Sequence, residues 1–142
     1  MKLFSKPEGG WVNINIGDYV IDASYLTDVP MDFLNALISG LKNGIPICVY
    51  LDEEGREDIL TVIGEMLTIS VMEDESQEDF KSIRIEFNAF VREIILGIEE
   101  YFDDWVKWFM NDDEEKLKLR EKVLQAKLNE AKEIARKLDI KF

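Results

Sequence analysis

The stretch DILTVIGEMLTISVMEDESQEDFKSIRIEF, residues 58–87, decides the fold. It holds three apolar runs, separated by Gly64 and by the acidic EDESQED of 73–79. Val, Ile and Thr are abundant in the first two. In the last, Phe80, Ser82, Arg84 and Glu86 alternate with Lys81, Ile83, Ile85 and Phe87. Each run therefore reads as a β-strand, the last with Arg84 and Glu86 toward water. Gly64 is placed to bend or bulge the chain between the first two strands. Pairing TISVM with IRIEF puts EDESQED at a hairpin tip, where water keeps like charges hydrated. The competing reading is that these acids hold a cationic partner.

Upstream, IPICVYL at 45–51 is a short apolar run ending at DEEGRED, which suits a central strand followed by a polar turn. WVNINIG at 11–17 sends Val12, Ile14 and Ile16 one way and Trp11, Asn13 and Asn15 the other, and YVIDAS at 19–24 returns after Gly17-Asp18. Between these strands, Phe33, Leu34, Leu37, Ile38 and Leu41 form one face of a helix over about 30–42. Asp28 and Pro30 suit its start, and Lys42, Asn43 and Gly44 its stop.

Downstream, Phe90, Val91, Ile94, Ile95, Ile98, Tyr101, Phe102, Trp105, Val106 and Phe109 recur at three- and four-residue steps. That stripe predicts a helix over 88–110, capped by Asn88, that covers the sheet. A last helix is expected over 113–139, with a narrow seam of Leu124, Leu128, Ala131, Ala135 and Leu138. This seam either lies on the body or joins two chains as a homodimer. The expected fold is α+β, a single domain with an antiparallel or mixed sheet of five or six strands, a short helix after the second strand and two C-terminal helices. An acidic body over 1–111 gives way to a C-terminal helical segment over 112–142.

Charge divides at the same place. The 142-residue chain carries a net charge of -13. Residues 1–111 hold 22 acidic and 8 basic residues, a net of -14, and residues 112–142 are nearly balanced at +1. Contact with a phosphate backbone needs Lys and Arg, so direct nucleic-acid binding is not expected, nor binding to an anionic membrane surface. No apolar run is long enough to span a bilayer. The N-terminus lacks the apolar core of a signal peptide, and Cys48 is the only cysteine, so a cytoplasmic location is expected.

The chain contains no histidine, which removes the commonest acid/base and the commonest metal ligand. No P-loop, dinucleotide fingerprint or nucleophile elbow is present. LDEEGREDIL lacks calcium-loop spacing: Gly55 follows Asp52 too closely, and Thr61 stands where the closing glutamate belongs. The expectation is no catalytic residue, no metal and no cofactor. The candidate partner-binding residues are Asp52, Glu53 and Glu54, the tip acids Asp74, Glu75, Glu78 and Asp79, and Trp108 with Asp103 and Asp104 as its anionic rim.

WVNINIGDYVIDASYLTDVP, the helix with FLNAL, the strand-turn VYLDEEG and the aromatic DDWVKWF together resemble small acidic immunity-type proteins of bacterial polymorphic or contact-dependent toxin systems. The resemblance covers roughly residues 11–110, and no functional residue carries over from it. It implies a cytoplasmic, non-enzymatic inhibitor that binds a basic toxin domain. The alternatives are an assembly protein that self-associates through the C-terminal helix, and an enzyme working with carboxylates alone.

Overall fold

The computed structural model describes residues 2–73 and 77–142, the side chains of 73 and 77–79 excepted. In chain order the elements are β1 (Trp11–Ile16), β2 (Tyr19–Ser24), α1 (Val29–Asn43), β3 (Ile47–Asp52), β4 (Arg56–Ile63), β5 (Met66–Glu73), β6 (Gln77–Arg84), α2 (Phe87–Glu100), α3 (Phe102–Val106) and α4 (Glu114–Lys137). The fold is α+β, as the alternating and helical patterns predict. The six strands do not join into the one sheet expected. β1 and β2 form a separate antiparallel hairpin, and β3-β4-β5-β6 form a four-stranded antiparallel meander.

The separate hairpin is completed by the N-terminal segment. Phe4 bridges to Ile14 and Glu8 to Trp11, so β1 spends its second edge on this segment rather than on the larger sheet. Phe4 is fully buried and meets Phe33 of α1 edge-on, with ring centroids 5.1 Å apart, and Trp105 of α3 at 5.3 Å. Its ring also explains Gly97: a Cβ there would lie 2.5 Å from Phe4 Cδ2, so only glycine lets α2 approach this closely.

α1 begins and ends close to its expected bounds. Gly44 is left-handed at φ 65, and its N–H donates to Gly40 O, closing the helix. Asp28 does not cap it; that carboxylate is taken by Arg120 of α4. Gly40 sits over Ile47 of β3, where a Cβ would lie 2.8 Å from Ile47 Cγ1. α1 lies on β3, and the helices α2 and α4 lie against α1 and each other, with Ile94 of α2 fully buried in the core shared with the sheet.

The expected 88–110 helix is also broken. α2 stops at Glu100 and a short α3 follows Tyr101. The Gly97 carbonyl accepts from the Tyr101 N–H at a long 3.4 Å and from the Trp105 indole Nε1–H at 3.2 Å. Turning the chain there folds Trp105 back onto α2. The cap of α2 is Glu86, whose carboxylate accepts from the Ala89 N–H at 2.8 Å, and not Asn88. α4 starts where acids accumulate, with Asp113 accepting from the N–H groups of Glu115 and Lys116.

One continuous core results. Val49, Leu51, Leu60, Val62, Leu67 and Ile69 line the inner sheet face, and Phe90, Val91, Ile94, Ile95 and Ile98 the inner face of α2. From α4, Leu124, Leu128, Ala131 and Ala135 are at most 1% exposed. Four of the five seam residues are therefore spent inside a single chain, and only Leu138 remains half-exposed.

Candidate functional site

The antiparallel register fixes which turns share an end of the sheet. Asp52 pairs with Glu57, Glu57 with Met72 and Met72 with Glu78. The β3–β4 turn thus lies beside the strand ends at Glu73 and Gln77, with the Gly64-Glu65 turn at the opposite end. Gly64 is the turn itself, at φ 58, rather than a bulge. At the acidic end, Glu54 and Gly55 both have positive φ, 57 and 115, as a two-residue hairpin loop of the primed type requires. Asp52 Oδ1 accepts from the Glu54 N–H at 2.6 Å and stiffens the loop, leaving Glu54 exposed.

Glu78 and Asp79 are not tip residues. They pair with Met72 and Val71 within the ladder, because Gln77 already faces Glu73. Asp74 and Glu75 lie outside the described residues, so their place at the tip stands as a sequence expectation.

Glu53 is turned inward. Its Oε1 accepts from the Asp22 backbone N–H at 2.8 Å, linking the β1–β2 hairpin to the larger sheet. Its Oε2 lies 2.8 Å from Arg56 Nε, and Arg56 Nη2 reaches Asp58 Oδ1 at 3.4 Å. Asp58 is fully buried and also accepts from the Tyr19 hydroxyl at 3.4 Å. Arg56 and Lys81 both lie over the Tyr19 ring, at 5.6 and 4.6 Å. Burial, and then the neighbouring Asp58 carboxyl, push Glu53 up to about 8; the Asp22 N–H acts the other way. This group is a structural node, and no sequence signal separates Glu53 and Asp58 from the surface acids around them.

The outward sheet face is uncovered. From the acidic end its rows run Asp52–Glu57–Met72–Glu78, then Tyr50–Ile59–Ser70–Phe80, then Cys48–Thr61–Thr68–Ser82, then Ile63–Met66–Arg84. Tyr50, Ile63, Met66 and Phe80 are all more than one-third exposed, and Cys48 is exposed among them. The Tyr50 and Cys48 rows contain no charged residue, and Arg84 in the last is paired with Glu65 at 3.0 Å. Beyond Ile63 the surface dips into a cleft of about 310 Å³, lined among others by Ile45, Pro46, Phe87 and Leu138. Alternation in the sequence marks this face as the outer one; the hydrophobic residues on it were the missed signal.

The other candidates lie elsewhere. Trp108 is 1% exposed, its ring tilted at 58° to that of Trp105 with centroids 5.3 Å apart, and its indole N–H donates to Thr27 O at 2.9 Å. It is a core residue and not a surface anchor, because the chain leaves the helix after Val106 and turns the indole inward. Asp103 is exposed on α3, in a groove shared with Lys107, Glu114 and Lys118 rather than with the sheet. Asp104 is half-buried on the same helix. Among the described residues no group of three Asp, Glu, Cys or His is arranged to hold a metal ion, and no helix is long and apolar enough to cross a membrane.

No family model matches the chain, and no solved structure matches it. Among curated proteins, the sensor protein kinase WalK of Staphylococcus haemolyticus is 26% identical over an 85-residue alignment. That alignment covers 55% of this chain and 14% of the kinase, a local likeness to a small part of a much longer protein.

Proposed function

We propose that the chain is a non-enzymatic acidic protein-binding module that captures a basic protein partner, in the manner of an immunity-type inhibitor acting in the cytoplasm. The observation that carries this reading is the register of the four-stranded sheet. It draws the β3–β4 turn, with Asp52, Glu54 and Glu57, and the adjoining ends of β5 and β6 to one end, so charges far apart in sequence add at one place. Summed charge of one sign steers an oppositely charged partner and raises its encounter rate. The carboxyl pair Glu53 and Asp58 favours an enzyme less, since Arg56, Tyr19 and the Asp22 backbone already occupy it.

The test starts with the full chain as bait in its native host and identification of any captured partner by mass spectrometry. Association is then measured for the wild type and for a variant with Asp52, Glu54, Glu57, Asp74 and Glu75 changed to the amides or Ser. The on-rate should fall about tenfold at low salt, and the difference should shrink at about 1 M salt, where the Debye length is about 3 Å. An unchanged on-rate removes the acidic end from the binding surface, and a captured partner that is itself acidic overturns the reading.

A further inference from the structure

A cluster of aromatic and long apolar side chains reaches the surface where the β1–β2 hairpin meets the end of α3. Trp11, Leu26, Phe109 and Met110 are all more than one-third exposed, and Tyr25 lies half-buried among them. Three contacts bring them together. Trp11 pairs with Ser24 across the hairpin, which sets Tyr25 and Leu26 beside it. The Trp108 indole N–H holds Thr27 O, which draws the Phe109-Met110 turn to the same segment. Gly10, at φ 80, leaves room for the Tyr25 ring and the Met110 methyl; a Cβ there would lie 2.7 Å from Tyr25 Cδ1. Met110 itself is left-handed at φ 55, where glycine would be relaxed and methionine is strained. At 52% exposure its side chain returns little burial for that strain, so folding alone does not account for a methionine here.

The rim of this patch is acidic. Glu8, which bridges to Trp11, is exposed, and over 107–115 the chain carries Lys107 against Asp112, Asp113, Glu114 and Glu115. Arg120, whose guanidinium lies 4.9 Å from the Phe109 ring centroid, is already neutralised by Asp28. Along β2 the patch runs into the exposed Asp22, whose backbone N–H joins Glu53 of the β3–β4 turn, so it adjoins the acidic end. Aromatic faces attract cations, and arginine more than lysine, because the guanidinium is planar and weakly hydrated. The same chemistry operates within the chain, where Arg120 lies over Phe109 and Lys81 over Tyr19. A second copy, with its net charge of -13, or an anionic lipid surface would bring acid against acid here. We propose that this patch is the docking site for an arginine-bearing segment of the basic partner, which the acids attract and the rings hold. The inference rests on the chain being a binder of a basic protein, and it adds where and by which side chains that partner is gripped.

The isotope-labelled full chain is titrated by NMR with a short oligo-arginine peptide and with oligo-lysine of the same length, at about 0.15 M and about 1 M salt. Trp11 is the reporter, since Trp105 and Trp108 are buried. The arginine peptide should bind about fivefold more tightly than the lysine peptide and shift the Trp11 indole N–H and the Met110 methyl. Part of that preference should persist at the higher salt, where simple attraction between charges is screened. Trp11→Leu removes the ring but keeps an apolar strand residue, and it should cancel most of the preference. Changing Asp52, Glu54 and Glu57 to the amides should weaken both peptides alike and leave the preference intact. Equal affinity for the two peptides overturns the proposal, as does a preference that Trp11→Leu leaves unchanged. So does an arginine peptide that shifts the β3–β4 turn but neither Trp11 nor Met110; the acidic end then stands as the binding surface without this patch. Tighter binding at the patch by an uncharged amphipathic peptide or by zwitterionic micelles assigns it to another occupant and also overturns the proposal. Peptides that bind nowhere at low salt overturn both readings together.

Discussion

Two arginines hold distant parts of the molecule together, and they are balanced differently. Arg120 of α4 makes a fork with one carboxylate: Nη1 and Nη2 donate to Asp28 at 2.8 and 3.0 Å. Its Nε donates to the neutral carbonyls of Trp105 and Val106, both at 3.1 Å, and Phe109 stacks on the guanidinium. One cation meets one anion, and the remaining donor meets the Trp105 and Val106 carbonyls where α3 ends. Arg56 stands instead between two carboxyls, Glu53 and Asp58, in the joint between the two sheets. One positive charge cannot offset two buried negative ones, and Glu53 retains its proton well above the usual carboxylate range. Both sites tie elements together, and at the second, burial holds a carboxyl in its protonated form.

The sharpest way to break that comparison is to remove the balanced cation. Arg120→Met keeps most of the volume and strands the Asp28 carboxylate and the α3 carbonyls. It should cost about 3 kcal/mol in denaturant unfolding, below the upper range for a fully buried pair because Asp28 keeps partial access to water. A loss under about 1 kcal/mol would mean that the fork is incidental. Arg56→Met should cost about 2 kcal/mol at pH 9, where Glu53 is mostly ionised, and about half that at pH 5, where it is neutral and one charge fewer is left uncompensated.

Glu53→Gln tests the imbalance directly. The folded value is raised from 4.5 to about 8, so the proton-bound form favours folding. The stability it contributes is complete below about pH 4.5 and is lost as pH rises through about 8. The wild type should therefore weaken across that window. The variant should not, and it should be about 1–2 kcal/mol more stable than the wild type at pH 8–9. That is less than the full shift implies, because Arg56 remains beside the carboxylate. Glutamine retains an oxygen for the Asp22 N–H, so the link between the sheets is kept. Parallel pH profiles for the two proteins would show that Glu53 is not the titrating group. The smallest effect is expected from Tyr19→Phe. Its hydrogen bond to Asp58 is long, at 3.4 Å, so its loss should cost about 0.5 kcal/mol, and a loss above 2 kcal/mol would make the hydroxyl a principal partner of Asp58.

The amino-acid sequence by itself determined the strands, the start of α1 and its stop at Gly44, and the apolar stripe of α4. These depend on periods of two and of three to four residues and on local capping chemistry, all contained within a few neighbouring residues. It also determined that EDESQED interrupts two paired strands, although the ladder takes Gln77, Glu78 and Asp79 back into β6. Only the tertiary structure decided that six strands divide into two sheets, because the N-terminal segment takes an edge of β1 that the sequence left open. It alone broke the aromatic helix at Tyr101, where the Trp105 indole competes for the Gly97 carbonyl, and so buried Trp108. It alone separated Glu53 and Asp58 from the other acids and left Tyr50, Ile63 and Phe80 uncovered on the outer sheet face. Periodicity states which side of an element is apolar. What covers that side, and which distant charges meet, depend on how the elements are placed, and sequence neighbours do not record that placement.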